Sequence, residues 1–338
     1  MAAMTGGSTW VLMAVVLTVQ SALSGWAAEA TPGEVPIDPR DNTEAGKRIH
    51  QELERKNEEQ QAEALSFPKG NGLRVIMLGN SWTRPAVEAL PEVAAAAGFD
   101  GHHIRACTPG SQKGHADPLF HSSLARSSVF PALETGQWDA MTILSRWNDK
   151  PEHFAQWIDL GLQANPGMTF YVQTAWAYLS KESLKAPHDA QKVIAQLEAA
   201  LTKQQAEYQA NYAVLAATYP GKVHLIPCGE AVLEMVRRYY AGQLPGYDCL
   251  TQATGGTKGV FLDGGHLGHD LRYLLGYLFY ATLYRASPER IQGFAPTGVD
   301  PGVDRIMRSV AWHAVLADPG TGVVETGGPP GQVDPARP

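Results

Sequence analysis

Ser81 lies in the stretch Val75-Ile-Met-Leu-Gly-Asn-Ser-Trp82, in which four apolar residues run straight into Gly79-Asn80-Ser81. Such a run reads as a buried parallel strand, which delivers the residues after it to the carboxyl edge of its sheet, where open α/β folds hold their ligands. A serine there stands where a nucleophile would. The residues from Pro85 to Ala97 read as the following helix, with Pro85 tolerated in its first turn. The free N–H groups at the amino end of that helix favour negative charge beside Ser81. Asn80-Ser81 also fits an ordinary helix cap, and on that dipeptide alone both readings stand.

A second group is Asp263-Gly264-Gly265-His266, between the apolar Val260-Phe261-Leu262 and an amphipathic helix. Asp and His three residues apart at a loop-to-helix transition can set the carboxylate against one imidazole nitrogen and leave the other facing outward, as the orienter and general base of a triad require. A loop-capping Asp263 and a helix-entry His266 are the plainer alternative. Two more rim segments follow apolar runs. Asn148, in Ser145-Arg146-Trp147-Asn148-Asp149, can offer a side-chain amide to an oxyanion. Gly110, in Cys107-Thr108-Pro109-Gly110-Ser111, allows a backbone N–H to approach a substrate closely.

Competing chemistries have less behind them. His266, His269 and Asp270, or His102, His103 and His115, are near one another in sequence, but neither set follows a metal-ligand motif. Lys113 and Lys258 lie in Gly-containing segments without the phosphate-loop spacing. Cys107, Cys228 and Cys249 contain no Cys-x-x-Cys, and a bridge between Cys228 and Cys249 is open but not fixed by spacing. Trp147, Trp176 and Tyr178 suit either a sugar platform or the core.

The elements that must position these residues alternate. Strands are expected at Leu73–Leu78, His103–Cys107, Ala140–Leu144, Thr169–Gln173, Val223–Ile226 and Val260–Leu262. Helices are expected at Pro85–Ala97, Pro151–Ala164, Asp189–Thr218, Gly229–Ala241 and His266–Tyr284, with another through Arg305–Trp312. That alternation implies βαβ units and a parallel sheet of about five strands, covered on both faces in a three-layer α/β/α arrangement. Residues 31–70 read as a Pro-rich acidic linker and a charged, solvated helix over Asp41–Ala64, and residues 71–317 as the domain that carries these candidate residues. Residues 318–338, rich in Gly, Pro and Thr, read as a disordered tail.

The chain has 338 residues, 44% of them hydrophobic, and a formal net charge of −7, so it can bury a large core and presents no basic stripe for nucleic acid. Trp10–Val19 is apolar but too short to span a bilayer, and Ala28-Glu29-Ala30 supplies a small-x-small cleavage pattern. Residues 1–30 therefore read as a secretory signal, which gives a secreted or periplasmic mature chain without a stable membrane span, although the leader has no Lys or Arg near its start.

Taken in order, Gly79-Asn80-Ser81-Trp82, Gly110, Trp147-Asn148-Asp149 and Asp263 with His266 resemble the blocks of the SGNH hydrolases, the GDSL-like esterase superfamily. The resemblance runs from about Leu73 to Pro288 and is carried by order and spacing. It implies a flavodoxin-like SGNH hydrolase fold, with Ser81 as nucleophile, His266 as base and Asp263 as its orienter. It also implies an oxyanion hole from the N–H of Ser81 and Gly110 and the amide of Asn148, and neither metal nor organic cofactor. The sequence departs from the family pattern at Asn80, where Asp is usual, and at Arg146, where a Gly is usual two residues before the Asn. Arg146 is expected at the pocket mouth, with Trp82 and Trp147 as further substrate contacts. The favoured activity is hydrolysis of small acyl esters, above all O-acetyl groups on a small-molecule or polysaccharide substrate. The alternatives are a catalytically silent glycan-binding module and a lipid or thioester hydrolase.

Overall fold

Five of the apolar runs pair in parallel: β1 (Arg74–Leu78), β2 (His103–Cys107), β3 (Ala140–Leu144), β4 (Thr169–Gln173) and β5 (Val223–Ile226). They lie in the order β2-β1-β3-β4-β5, so strand order reverses between β1 and β3. The crossovers leave that point in opposite directions and open a crevice at its carboxyl edge. The computed structural model describes residues 70–146, 148–180 and 189–325. The expected signal, linker and charged helix lie outside the described residues, as does Trp147.

The helices of the layers are α1 (Arg84–Ala96), α2 (Ala116–Phe120), α3 (Ser123–Ser128), α4 (Phe130–Glu134), α5 (Pro151–Ala164), α6 (Ala190–Thr218), α7 (Cys228–Tyr240), α8 (Arg272–Tyr284) and α9 (Pro301–Ala317). Side chains alternate across a strand, and β1 shows the consequence. Val75 and Met77 join the core built with α1, α7, α8 and α9, whereas Ile76 and Leu78 join the core built with α2 to α5. The result is a flavodoxin-like three-layer α/β/α fold. Fully buried residues such as Ile76, Met77, Phe154 and Leu274 each contribute roughly 1.5–3 kcal/mol. No helix of the described residues is long and apolar enough to cross a membrane.

Three expectations change. The strand at Gly259–Phe261, β7, stands outside the main sheet and pairs in parallel with β6 (Cys249–Thr251). β6 escaped the sequence reading because three residues hold no periodicity. The helix expected from His266 starts at Arg272, after a 3₁₀ turn at His269–Leu271. Backbone groups from Leu262 to Gly268 are engaged elsewhere: Leu262 N–H donates to the His266 carbonyl at 2.8 Å and Gly268 N–H to that of Val260 at 2.8 Å. The stretch expected to be disordered from Asp318 is packed as far as Val323. There Asp318 caps the turn Pro319–Thr321 and the Thr321 hydroxyl donates to the Val315 carbonyl at 2.9 Å. Low apolar content hid a turn that satisfies itself.

Candidate active site

Ser81 owes its place to the parallel register. Leu78 pairs with Cys107 on one side and Ile143 on the other, and Gly79 N–H continues the ladder to the Cys107 carbonyl at 3.1 Å. The chain then turns sharply, because Asn80 is buried and both ends of its side chain are used. Its Oδ1 accepts from Trp82 N–H at 2.9 Å and its Nδ2 donates to the Ser111 carbonyl at 3.2 Å. Asn80 thus forms an Asx turn that ties the Ser81 turn to the segment after β2. The N-cap of α1 is Thr83, without a side-chain cap bond, and the Thr83 hydroxyl instead donates to Gln173 Oε1 at 2.8 Å. The Ser81 hydroxyl is left to face His266.

Two glycines make these approaches possible. A Cβ on Gly79 would lie 2.0 Å from Thr83 Oγ1, and one on Gly114 would lie 2.0 Å from the Gly79 carbonyl oxygen. Gly114 is a site residue that the sequence reading missed, because nothing local to it signals a contact made by tertiary folding. At Gly110 a Cβ would meet nothing within 4 Å, so the protein's own packing does not require glycine there.

His266 reaches Ser81 from a hairpin-like loop. Its Nε2 lies 2.9 Å from Ser81 Oγ and its Nδ1 lies 2.7 Å from Asp263 Oδ2. Asp263 Oδ1 accepts from the N–H groups of Gly265 at 2.7 Å and His266 at 2.8 Å. Burial alone would raise the Asp263 carboxyl, but those two N–H groups and the His266 ring together hold it below its ordinary value. The loop is pinned on several sides. Thr251 Oγ1 donates to the Asp263 carbonyl at 2.9 Å, Leu179 N–H to that of Gly264 at 2.8 Å, and Trp176 Nε1 to that of Gly265 at 2.8 Å. The Asp263 and His266 side chains are 54% and 45% exposed, so water reaches the pair directly.

The remaining rim residues behave differently from one another. Gly110 and Asn148 are exposed on the segments that leave β2 and β3. The loop carrying Asn148 is closed by Asp149, whose Oδ2 accepts from Arg146 N–H at 2.7 Å, and braced by Asn211 Nδ2, which donates to the Asp149 carbonyl at 2.8 Å. Burial pushes the Asp149 carboxyl up, against the Arg146 N–H and His153. Arg146, expected at the pocket mouth, lies largely beneath the surface. It is 8% exposed, bonds His115 Nε2 at 2.9 Å and Tyr178 Oη at 3.3 Å, and lies over the Trp82 ring at 5.5 Å. Inside, its fork of N–H donors meets the His115 ring and the Tyr178 hydroxyl.

Trp82, expected as a substrate contact, is 2% exposed and stacked on Trp176 with centroids 4.4 Å apart. Its ring is committed to packing. His115 is held neutral, lowered to about 4 by burial and then by the Arg146 charge. His266 and His269 do not share a site with Asp270, which pairs with Lys258 at 2.5 Å, and no metal-binding group of three ligands occurs among the described residues. All three cysteines are buried and free. Burial pushes the Cys107 and Cys249 thiols up to about 11, so neither supplies a thiolate nucleophile at neutral pH.

Solved structures similar to the chain include the following two. A DUF4886 family protein from Bacteroides uniformis is 18% identical, with a TM-score of 0.49, over 72% of this chain and 95% of that one. The periplasmic domain of a lipopolysaccharide acetyltransferase from Salmonella ser. Paratyphi A is 13% identical, with a TM-score of 0.39, over 70% of this chain and 95% of that one. No protein-family model and no curated protein matches the chain.

Proposed function

We propose that the chain is an exported serine esterase that hydrolyses small acyl esters, with O-acetyl groups on carbohydrate as the favoured substrate. The observation that carries this reading is the continuous path from Ser81 Oγ through His266 to Asp263, at 2.9 Å and 2.7 Å. In this proposal His266 Nε2 takes the Ser81 proton as Oγ attacks the acyl carbon. The carbonyl electron pair moves to the oxygen, where the N–H groups of Ser81 and Gly110 and the Asn148 amide receive it. Collapse expels the alcohol with the proton from His266, and water repeats the cycle on the acyl-enzyme. Exposure of the Asp263–His266 pair favours water as the second acceptor.

Labelling with a fluorophosphonate probe tests the reading. A Ser81 adduct, absent in Ser81→Ala, together with hydrolysis in a panel of acetyl, butyryl and longer-chain esters, is the expected result. A folded chain that takes no label and turns over no ester would leave the silent glycan-binding alternative, and a rate rising with chain length would leave the lipid alternative.

A further inference from the structure

Among the large apolar side chains left exposed in the described residues, Tyr178 is the one aromatic, with 47% of its surface open. It follows β4, whose carboxyl end lies on the same rim as that of β1. Its neighbours place it against both halves of the candidate site. Its ring lies 4.7 Å from that of Trp82, the residue after Ser81. A Cβ on Gly265, the residue before His266, would come within 2.3 Å of Tyr178 Cε1. An aromatic ring that is half open yet wedged between the chain neighbours of the nucleophile and the base is held rigidly.

The polar end of the ring is also set. Arg146 Nη2 donates to Tyr178 Oη at 3.3 Å, and its guanidinium lies 5.9 Å from the ring. A guanidinium has only donors, so the phenolic oxygen accepts from it and the hydroxyl hydrogen turns away from Arg146. The fixed ring therefore offers an apolar face with an O–H donor at its edge. A sugar ring matches both features, since it has an apolar C–H face and oxygen acceptors around its rim. An alkyl chain matches only the first and leaves the hydroxyl without an acceptor. We propose that Tyr178 is a saccharide subsite beside Ser81, taking the sugar that carries the ester. The inference rests on the esterase reading for the word ester, and on Tyr178 itself for the sugar.

Nitration with tetranitromethane, mapped by peptide mass analysis on the unaltered chain, reads this subsite without reference to turnover. An acetylated xylo-oligosaccharide is expected to lower nitration of Tyr178 about tenfold at saturation, while triacetin at equal acetyl concentration does not. Unchanged nitration, or equal protection by triacetin, overturns the proposal. In kinetics, Tyr178→Phe and Tyr178→Ala should lower kcat/KM for the oligosaccharide about threefold and about tenfold more than for triacetin. Parallel losses on the two substrates also overturn it. Protection without turnover of any ester would sink the esterase reading and leave the subsite, whereas turnover without protection would sink the subsite alone.

Discussion

Ser81, His266 and Asp263 differ in what each removal should cost. Ser81→Ala and His266→Ala should each lower kcat/KM by at least about a thousandfold with an unchanged melting curve, because neither side chain is part of the core. Retained turnover in either variant would eliminate the proposed roles. Asp263→Asn should cost less. Its Oδ1 would still accept from Gly265 and His266, and at 54% exposure water can take over part of the contact with His266 Nδ1. Gly110 supplies a cleaner probe of the oxyanion proposal. It has φ −67° and open space around it, so Gly110→Ala should fold with stability unchanged to within about 0.5 kcal/mol. Alanine keeps the backbone N–H and adds only a methyl, so crowding of a substrate drawn close to that N–H is expected to lower kcat/KM about tenfold or more in the folded variant, and an undiminished value would mean that no substrate approaches the Gly110 Cα.

The segments after β1, β2, β3 and β4 act together, joined by contacts that no single element contains. Arg146, at the end of β3, reaches His115 beyond β2 and Tyr178 beyond β4. Arg146→Ala should destabilise the fold by about 1–3 kcal/mol and lower kcat/KM for an anionic and a neutral ester of the same alcohol by one factor. A selective loss on the anionic ester would restore the expected role in binding a carboxylate or sulfate. The loop carrying Asp263 and His266 is held by its backbone carbonyls, so Trp176→Phe removes one donor while keeping the ring stack on Trp82. That variant should lower kcat more than it lowers the melting temperature relative to a core change of equal size. Equal effects would mean that Trp176 only packs.

For the molecule as a whole, two buried imidazoles and one half-buried one contribute to the response to acid. His102, His115 and His224 are each lowered to about 4, chiefly by burial. The unfolded chain binds protons on these rings from its ordinary value near pH 6.5 downward, and the native chain does not until about pH 4. Stability should therefore fall as pH drops through that window. The raised carboxyls of Asp149 and Glu230 act in the opposite sense, so the histidine contribution is isolated by comparing the chain with His224→Gln. Urea denaturation should show a shallower acid slope in that variant, and an identical slope would reject the assignment. Much of the fold was legible in the sequence because burial on both faces makes a strand continuously apolar. β2, β3, β4 and β5 were expected at the residues they occupy, and the polar residues after the apolar runs of β1 and β7 drew attention to Ser81, Asp263 and His266. Local composition determined the strands and which residues stood out after them, since each of these depends on neighbours within a few residues. Contacts between distant segments decided the rest: that Gly114 must be small beneath Gly79, that Arg146 turns inward, that Trp82 packs while Tyr178 stays open, and that β7 pairs outside the main sheet. A side chain's direction follows from which partner folding brings to it, and sequence spacing carries no record of a partner 31 or 185 residues away.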